Sequence, residues 1–129
     1  MAPDAGVTPK TGTFGREDRV RRRPEYQAVY ARCSPMFTAC LVFYACPGTG
    51  RRRLGCTVPR AVGNAVVRNR VKRLIRESFR TMRERFPEGC TLVVNAKRSA
   101  ASLDLAGTKR AFELVAGRLA AEGYPPCAS

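Results

Sequence analysis

The chain has 129 residues and carries 24 Lys and Arg against 10 Asp and Glu, a formal net charge of +14 with no His. That length suits a single domain able to bury a core. No run of about 18 apolar residues exists, so a helical membrane span is excluded, and without an imidazole neither Ser-His nor Cys-His nucleophilic pairs can be built.

Of the 24 bases, 20 are Arg. A guanidinium is a planar fork that pairs bidentately with phosphate and stacks on bases, so this bias favours a nucleic-acid partner over mere solubility. The positive charge is also concentrated. Residues 60–85 hold nine bases and two acids, a net of 9 − 2 = +7, half of the whole surplus. Surplus charge on a generically basic surface would be scattered.

In chain order, residues 1–15 are rich in Gly, Pro and Thr and are expected to form a disordered tail. The opening MAPDAGVTPKTG lacks the apolar h-region of a secretory signal, which points to a cytoplasmic protein. A first helix is predicted over roughly 17–32, with Val20, Tyr26, Val29 and Tyr30 as an interrupted apolar face. Pro24 sits best in its first turn. Thr38 to Ala45 reads as a strand, with Leu41 and Phe43 on one face and Val42 and Tyr44 on the other. After the loop Pro47-Gly48-Thr49-Gly50 and the bases Arg51 to Arg53, Leu54 to Val58 reads as a second strand and hairpin partner of the first.

The stretch 59–80, PRAVGNAVVRNRVKRLIRESFR, is the most informative in the chain. Asn64 is a suitable N-cap, because its short amide can accept a bond from an orphan N–H. At roughly 100° per residue, Val67, Val71, Leu74, Ile75, Ser78, Phe79 and Met82 share an arc of about 120–140°, the width of a core-facing stripe. Arg68, Asn69, Lys72, Arg73, Arg76, Arg80 and Arg83 occupy another arc. Arg70 stands apart and reaches past the far edge of the apolar stripe. Pro87 ends the helix. Cys90 to Ala96 is a near-continuous apolar strand, consistent with burial on both faces. Leu105, Phe112, Val115 and Leu119 mark a last helix, followed by a frayed tail. The domain is thus expected over 16–121 and the tail over 122–129. The order is an α+β arrangement with helices laid on a small sheet.

Catalytic chemistry finds no foothold in these residues. The ten acids are dispersed, with no pair set for general acid/base work or a metal clamp. Glu77 is explained by an ion pair with Arg73 or Arg80 on its own helix. The six Cys show no Cys-x-x-Cys spacing and read as reduced thiols, several of them in apolar runs where they act as small hydrophobes. Tyr26 and Tyr30 share a helix face, and Tyr44 lies on a strand which that helix could cover. These tyrosines are either core aromatics with their hydroxyls at the surface or a platform for splayed single-stranded bases.

The run Gly63-Asn64-Ala65-Val66-Val67-Arg68-Asn69-Arg70-Val71-Lys72-Arg73-Leu74-Ile75-Arg76-Glu77 resembles the signature of the bacterial ribonuclease P protein subunit. The likeness extends upstream through Leu54 to Val58, Tyr44, Tyr30, Tyr26 and Phe14-Gly15-Arg16, and downstream to Ala96-Lys97-Arg98. It covers roughly residues 13–120. It implies a sheet of about four strands, mixed or antiparallel, packed with three helices in the order α-β-β-(β)-α-β-α. It also implies a left-handed strand–helix–strand crossover, against the usual rule.

In function, the resemblance implies a protein that partners a large catalytic RNA. Together they remove the 5′ leader of precursor tRNA, with Mg²⁺ held by the RNA and no metal or catalytic residue in the protein. Asn64, Arg68, Asn69, Arg70, Lys72, Arg73, Arg76 and Arg80 would then form the RNA-binding helix. Phe14, Tyr26, Tyr30, Tyr44, Thr57 and Arg60 would line a cleft for the single-stranded leader. No membrane and no obligate protein partner are implied.

One departure stands out. After the second strand the family usually has a small polar residue and two lysines, where this chain has Pro59-Arg60-Ala61. That predicts weaker leader contacts, or compensation from Arg51 to Arg53. Two other classes fit the charge without the motif: a ribosomal or chaperone protein for structured RNA, and a DNA-binding helix. The latter is weakened by the lack of a helix-turn-helix partner.

Overall fold

The computed structural model describes residues 19–20, 23–48 and 50–124. The elements run α1 (Arg23–Arg32), β1 (Pro35–Phe37), β2 (Leu41–Cys46), β3 (Arg53–Thr57), α2 (Ala65–Met82), β4 (Thr91–Ala96) and α3 (Leu105–Glu122), with short 3-10 turns at Arg60–Val62, Arg83–Arg85 and Arg98–Ser102. The four strands form one mixed sheet in the order β1-β2-β4-β3. β2 is antiparallel to both β1 and β4, whereas β3 runs parallel to β4. This is the α+β sandwich with three helices that the sequence implied.

The hairpin expected between the two strands that the structure shows as β2 and β3 does not form. β4 inserts between β2 and β3, pairing Leu41 with Ala96 on one side and Leu54 with Leu92 on the other. The physical reason lies in β4: its central residues Leu92, Val93 and Val94 are fully buried, and the middle of the sheet is where a strand apolar on both faces loses least. β1, missed in the sequence, is only three residues long and contributes one buried side chain, Met36.

The sheet has two unequal faces. Leu41, Phe43, Leu54, Leu92, Val94 and Ala96 pack with α2 and α3 into the main core, around Val71, Ile75, Phe79, Phe112 and Val115. Phe112 meets Phe43 and Phe86 edge-on, with ring centroids 5.1 and 6.1 Å away. On the opposite face α1 covers a smaller cluster of Val29, Cys33, Cys46 and Val93, with Tyr26, Tyr30 and Tyr44 packed against it. α1 begins at Arg23 with Pro24 in its first turn, and Val29 is its one buried residue. Beyond α3, capped at Gly123, Tyr124 packs on the core beside Cys90.

The cysteines depart from expectation. Cys33 and Cys46 are joined as a disulfide with their Cα atoms 5.8 Å apart, while Cys40, Cys56 and Cys90 are free. The spacing of 13 residues carried no sign of this. The fold makes the pair by bringing the end of α1 over the end of β2, within the Cα separation that a disulfide needs.

Candidate nucleic-acid interface

α2 is built as its periodicity predicted. The Asn64 Oδ1 accepts the Val67 N–H at 3.0 Å, satisfying one of the orphan donors of the first turn. Gly63 allows this entry, because a Cβ there would lie 2.9 Å from the Val67 Cβ. Val71, Ile75, Ser78, Phe79 and Met82 are buried and Val67 packs against the same core. Leu74 is half-buried at the edge of the stripe.

The helix therefore turns a fixed row of cations outward. Asn69, Arg73, Arg76, Glu77 and Arg80 line an open pocket of about 410 Å³, and Arg19 joins them from the segment before α1. Arg19 is placed by an isolated bridge to Leu54 at the exposed edge of β3. The Arg80 Nε donates to the Glu77 Oε1 at 3.1 Å, so Arg80, not Arg73, is the partner of that carboxylate. The Arg80 hydrogen bond holds the Glu77 carboxyl below the usual carboxylate range.

Other predicted residues sit elsewhere. Arg70 points away from this pocket. Its guanidinium donates to the Leu103 carbonyl at 2.7 Å and to the Ala101 carbonyl, tying α2 to the turn that precedes α3. The Arg68 Nε donates back to the Gly63 carbonyl at 3.1 Å, steadying the helix start. Arg60 is exposed on the 3-10 turn after β3. Pro59 lies beyond the end of β3 at Thr57, and its carbonyl accepts the Val62 N–H. Phe14 lies outside the described residues.

The tyrosines form a half-buried cluster between α1 and the sheet, packed on one side and open on the other. The Tyr26 hydroxyl donates to the Val20 and Cys56 carbonyls at 3.1 and 3.4 Å. The Tyr30 hydroxyl donates to the Asn95 Oδ1 at 3.0 Å. Tyr30 meets Tyr44 edge-on at 5.0 Å between ring centroids and Tyr26 at 6.4 Å. Gly55 makes this packing possible: a Cβ there would come within 2.9 Å of both the Tyr26 ring and the Val20 Cβ. Burial raises the Tyr26 pKa, keeping the phenol neutral.

Beyond α1, the register sets Phe37, Val42, Asn95 and Thr57 side by side across the four strands. Phe37 and Thr57 are exposed and the two between them half-buried. The Lys97 ammonium lies 5.4 Å from the Phe37 ring centroid. The tyrosine cluster, Thr57 and this row thus share one sheet face. Asn95, Phe37 and Arg19 were not foreseen as site residues. For Asn95 a signal existed, an amide side chain inside the otherwise apolar run 92–96.

The cationic helix and the tyrosine face meet at Cys56. Its carbonyl accepts from Tyr26, and its thiol feels the positive charge of Arg76 on α2. Burial pushes the thiol pKa up, against the opposing pull of Arg76 and Lys72. Among the described residues, no cluster of three His, Cys, Asp or Glu side chains that could hold a metal ion occurs, and no helix is long and apolar enough to cross a membrane.

Fold and surface together define a small α+β protein that presents a cationic helix beside an aromatic sheet face, the equipment of a polyanion-binding protein. Residues 14–120 match the family model described as Ribonuclease P. The chain is 46% identical over 104 residues to the ribonuclease P protein component of Desulfovibrio desulfuricans, spanning 78% of this chain and 79% of that protein. It superposes on the ribonuclease P protein of Staphylococcus aureus with a TM-score of 0.72 at 25% identity, covering 84% of this chain and 98% of that one. The Thermotoga maritima protein superposes with a TM-score of 0.70 at 25% identity, over 78% and 96% of the two chains. The chain belongs to the ribonuclease P protein component family, so it is part of an endoribonuclease complex that includes RNA.

Proposed function

We propose that this chain is the protein subunit of a cytoplasmic bacterial ribonuclease P that binds the catalytic RNA through α2 and the 5′ leader of precursor tRNA along the tyrosine face. Cleavage is performed by the RNA, which holds the Mg²⁺ ions. The protein contributes binding alone. Lys72, Arg73, Arg76 and Arg80 neutralise phosphates near the junction between leader and tRNA, and the Asn69 amide donates hydrogen bonds beside them. Tyr26, Tyr30 and Tyr44, with Thr57 and Arg60 at the margin, hold the unpaired leader, each exposed ring edge offering a surface to a base. Mature tRNA has no leader and loses those contacts, so substrate is favoured over product.

The observation that carries this reading is that Tyr26 and the charge of Arg76 both act on one residue of the edge strand, Cys56, which lies between the cationic helix and the tyrosine face. A strand leaving a phosphate cluster on α2 reaches the aromatic face by passing round β3 at the edge of the sheet.

The test is cleavage of a 5′-extended precursor tRNA in low Mg²⁺, with protein alone, bacterial ribonuclease P RNA alone, and both together. Efficient cleavage at the leader junction by the combination alone is the expected result. RNA binding that never improves cleavage by a cognate RNA would return the chain to a general structured-RNA binder.

A further inference from the structure

α1 is a weakly anchored wall of the tyrosine cleft. It buries one side chain, Val29. Its first turn is fastened by polar contacts: the Glu25 carboxylate accepts from Arg53 at 2.8 Å, and Tyr26 donates to the carbonyls of Val20 and Cys56. Its far end is fastened covalently, because Cys33 follows the last turn and is bonded to Cys46 at the end of β2. Tyr30 lies between these two anchors and touches both Tyr44 and Asn95. Whatever frees the Cys33 end of the helix therefore changes how Tyr30 is held against the sheet.

We infer that Cys33 and Cys46 form a thiol–disulfide exchange site whose oxidation state sets the rigidity of the leader-binding face. The inference rests on the cleft reading above. In a reducing compartment a disulfide is seldom a permanent strut; where one forms it is characteristically transient and redox-sensing. The reaction partner is a small disulfide of the glutathione class. One cysteine thiolate attacks it, forming a mixed disulfide and releasing one glutathione thiolate. The second cysteine thiolate then attacks the mixed disulfide and releases the second. The glutathione S–S bond breaks, the Cys33–Cys46 bond forms, and the two protein-thiol protons pass to the released glutathione sulfurs.

Both cysteines are 4% exposed, so exchange requires the end of α1 to lift. Local opening of a segment with so few buried contacts is the low-energy kind. The oxidised form holds the cleft preorganised and the reduced form must order α1 when it binds. Selectivity for leader-bearing RNA therefore rises on oxidation, while phosphate contacts along α2, which packs on the other face of the sheet, do not change.

The test uses the full chain equilibrated in oxidised or reduced glutathione, quenched by alkylation under denaturing conditions. Cys33, Cys40 and Cys46 all lie on the tryptic peptide 33–51. The oxidised protein should carry a label on Cys40 alone and the reduced protein on all three. Oxidation should raise the thermal midpoint by about 10 °C, the order expected for closing a loop of this size. It should also raise the ratio of precursor to mature tRNA affinity, measured with the RNA subunit present, by roughly fivefold. Cys46→Val, checked for fold by circular dichroism, should behave like the reduced form in either buffer. Labelling of all three cysteines in oxidised glutathione overturns the inference. So does leader selectivity that is equal in the two forms. Leader-blind binding by both forms overturns the cleft reading itself, and the inference with it.

Discussion

Arg70 and Arg73 sit three residues apart on α2, yet the fold gives them different tasks. Arg70 spends its guanidinium on two carbonyls of the turn before α3, those of Ala101 and Leu103. Arg73 is exposed and lines the pocket with Asn69, Arg76 and Arg80. Hydrogen bonds from a charged donor contribute about 1.5–3 kcal/mol each, and at this half-buried site the lower end applies, so Arg70→Ala should cost about 3 kcal/mol in all. In a domain of this size that lowers the thermal midpoint by roughly 10 °C. Its effect on RNA binding should be small once the variant is held below its melting range. Arg73→Ala should do the reverse. An exposed side chain with no packing role changes stability by no more than about 0.5 kcal/mol. Loss of one phosphate contact makes the slope of log K against log salt shallower by about 0.7–0.9. The assay pairs thermal melts with binding to ribonuclease P RNA across a salt series. Arg70→Lys sharpens it, since a single ammonium cannot span both carbonyls as the fork does, and should recover less than half of the lost stability. An Arg70→Ala protein that melts like the parent and has a salt slope shallower by about one would refute the division of labour.

Gly55→Ala should press a methyl group into the Tyr26 ring and Val20, lowering stability by about 1–3 kcal/mol and weakening leader selectivity more than RNA affinity, as melts and paired precursor and mature tRNA titrations would reveal. Ala61 is exposed on the 3-10 turn after β3, so Ala61→Lys adds a cation without disturbing the core; precursor tRNA affinity should rise, and no gain would remove the charge explanation of this departure from the family pattern. The Ser78 hydroxyl is fully buried without a hydrogen-bond partner, so Ser78→Ala should stabilise the fold by about 1 kcal/mol in chemical denaturation, and destabilisation would show that the hydroxyl is satisfied after all. Burial pushes the Cys90 thiol from 9.0 to about 11, so the unfolded chain ionises first; stability present below pH 9 is lost as pH rises toward 11, and Cys90→Ala should flatten that part of the stability profile.

Much of this protein was legible in its residues because the signals were local. The heptad-like spacing of Val67, Val71, Ile75, Ser78 and Met82, the Asn64 cap and the Arg excess fix α2 and its two faces before any tertiary contact exists. The alternation Leu41, Val42, Phe43, Tyr44 correctly divided one strand between two layers. The motif around Arg68, Asn69 and Arg70 identified the family. Local patterns do not encode strand neighbours, however. β3 pairs with β4 across the whole of α2, and the most apolar strand takes the centre of the sheet because burial on both faces is satisfied only there. Nor could helical geometry say where a long side chain ends. It placed Arg70 past the edge of the apolar stripe, but only the packing of α3 put two carbonyls within its reach. The same holds for the Cys33–Cys46 bond and for the meeting of Arg76, Cys56 and Tyr26. Each joins residues distant in sequence, and it is the two-layered packing of helices on the sheet that sets their separation.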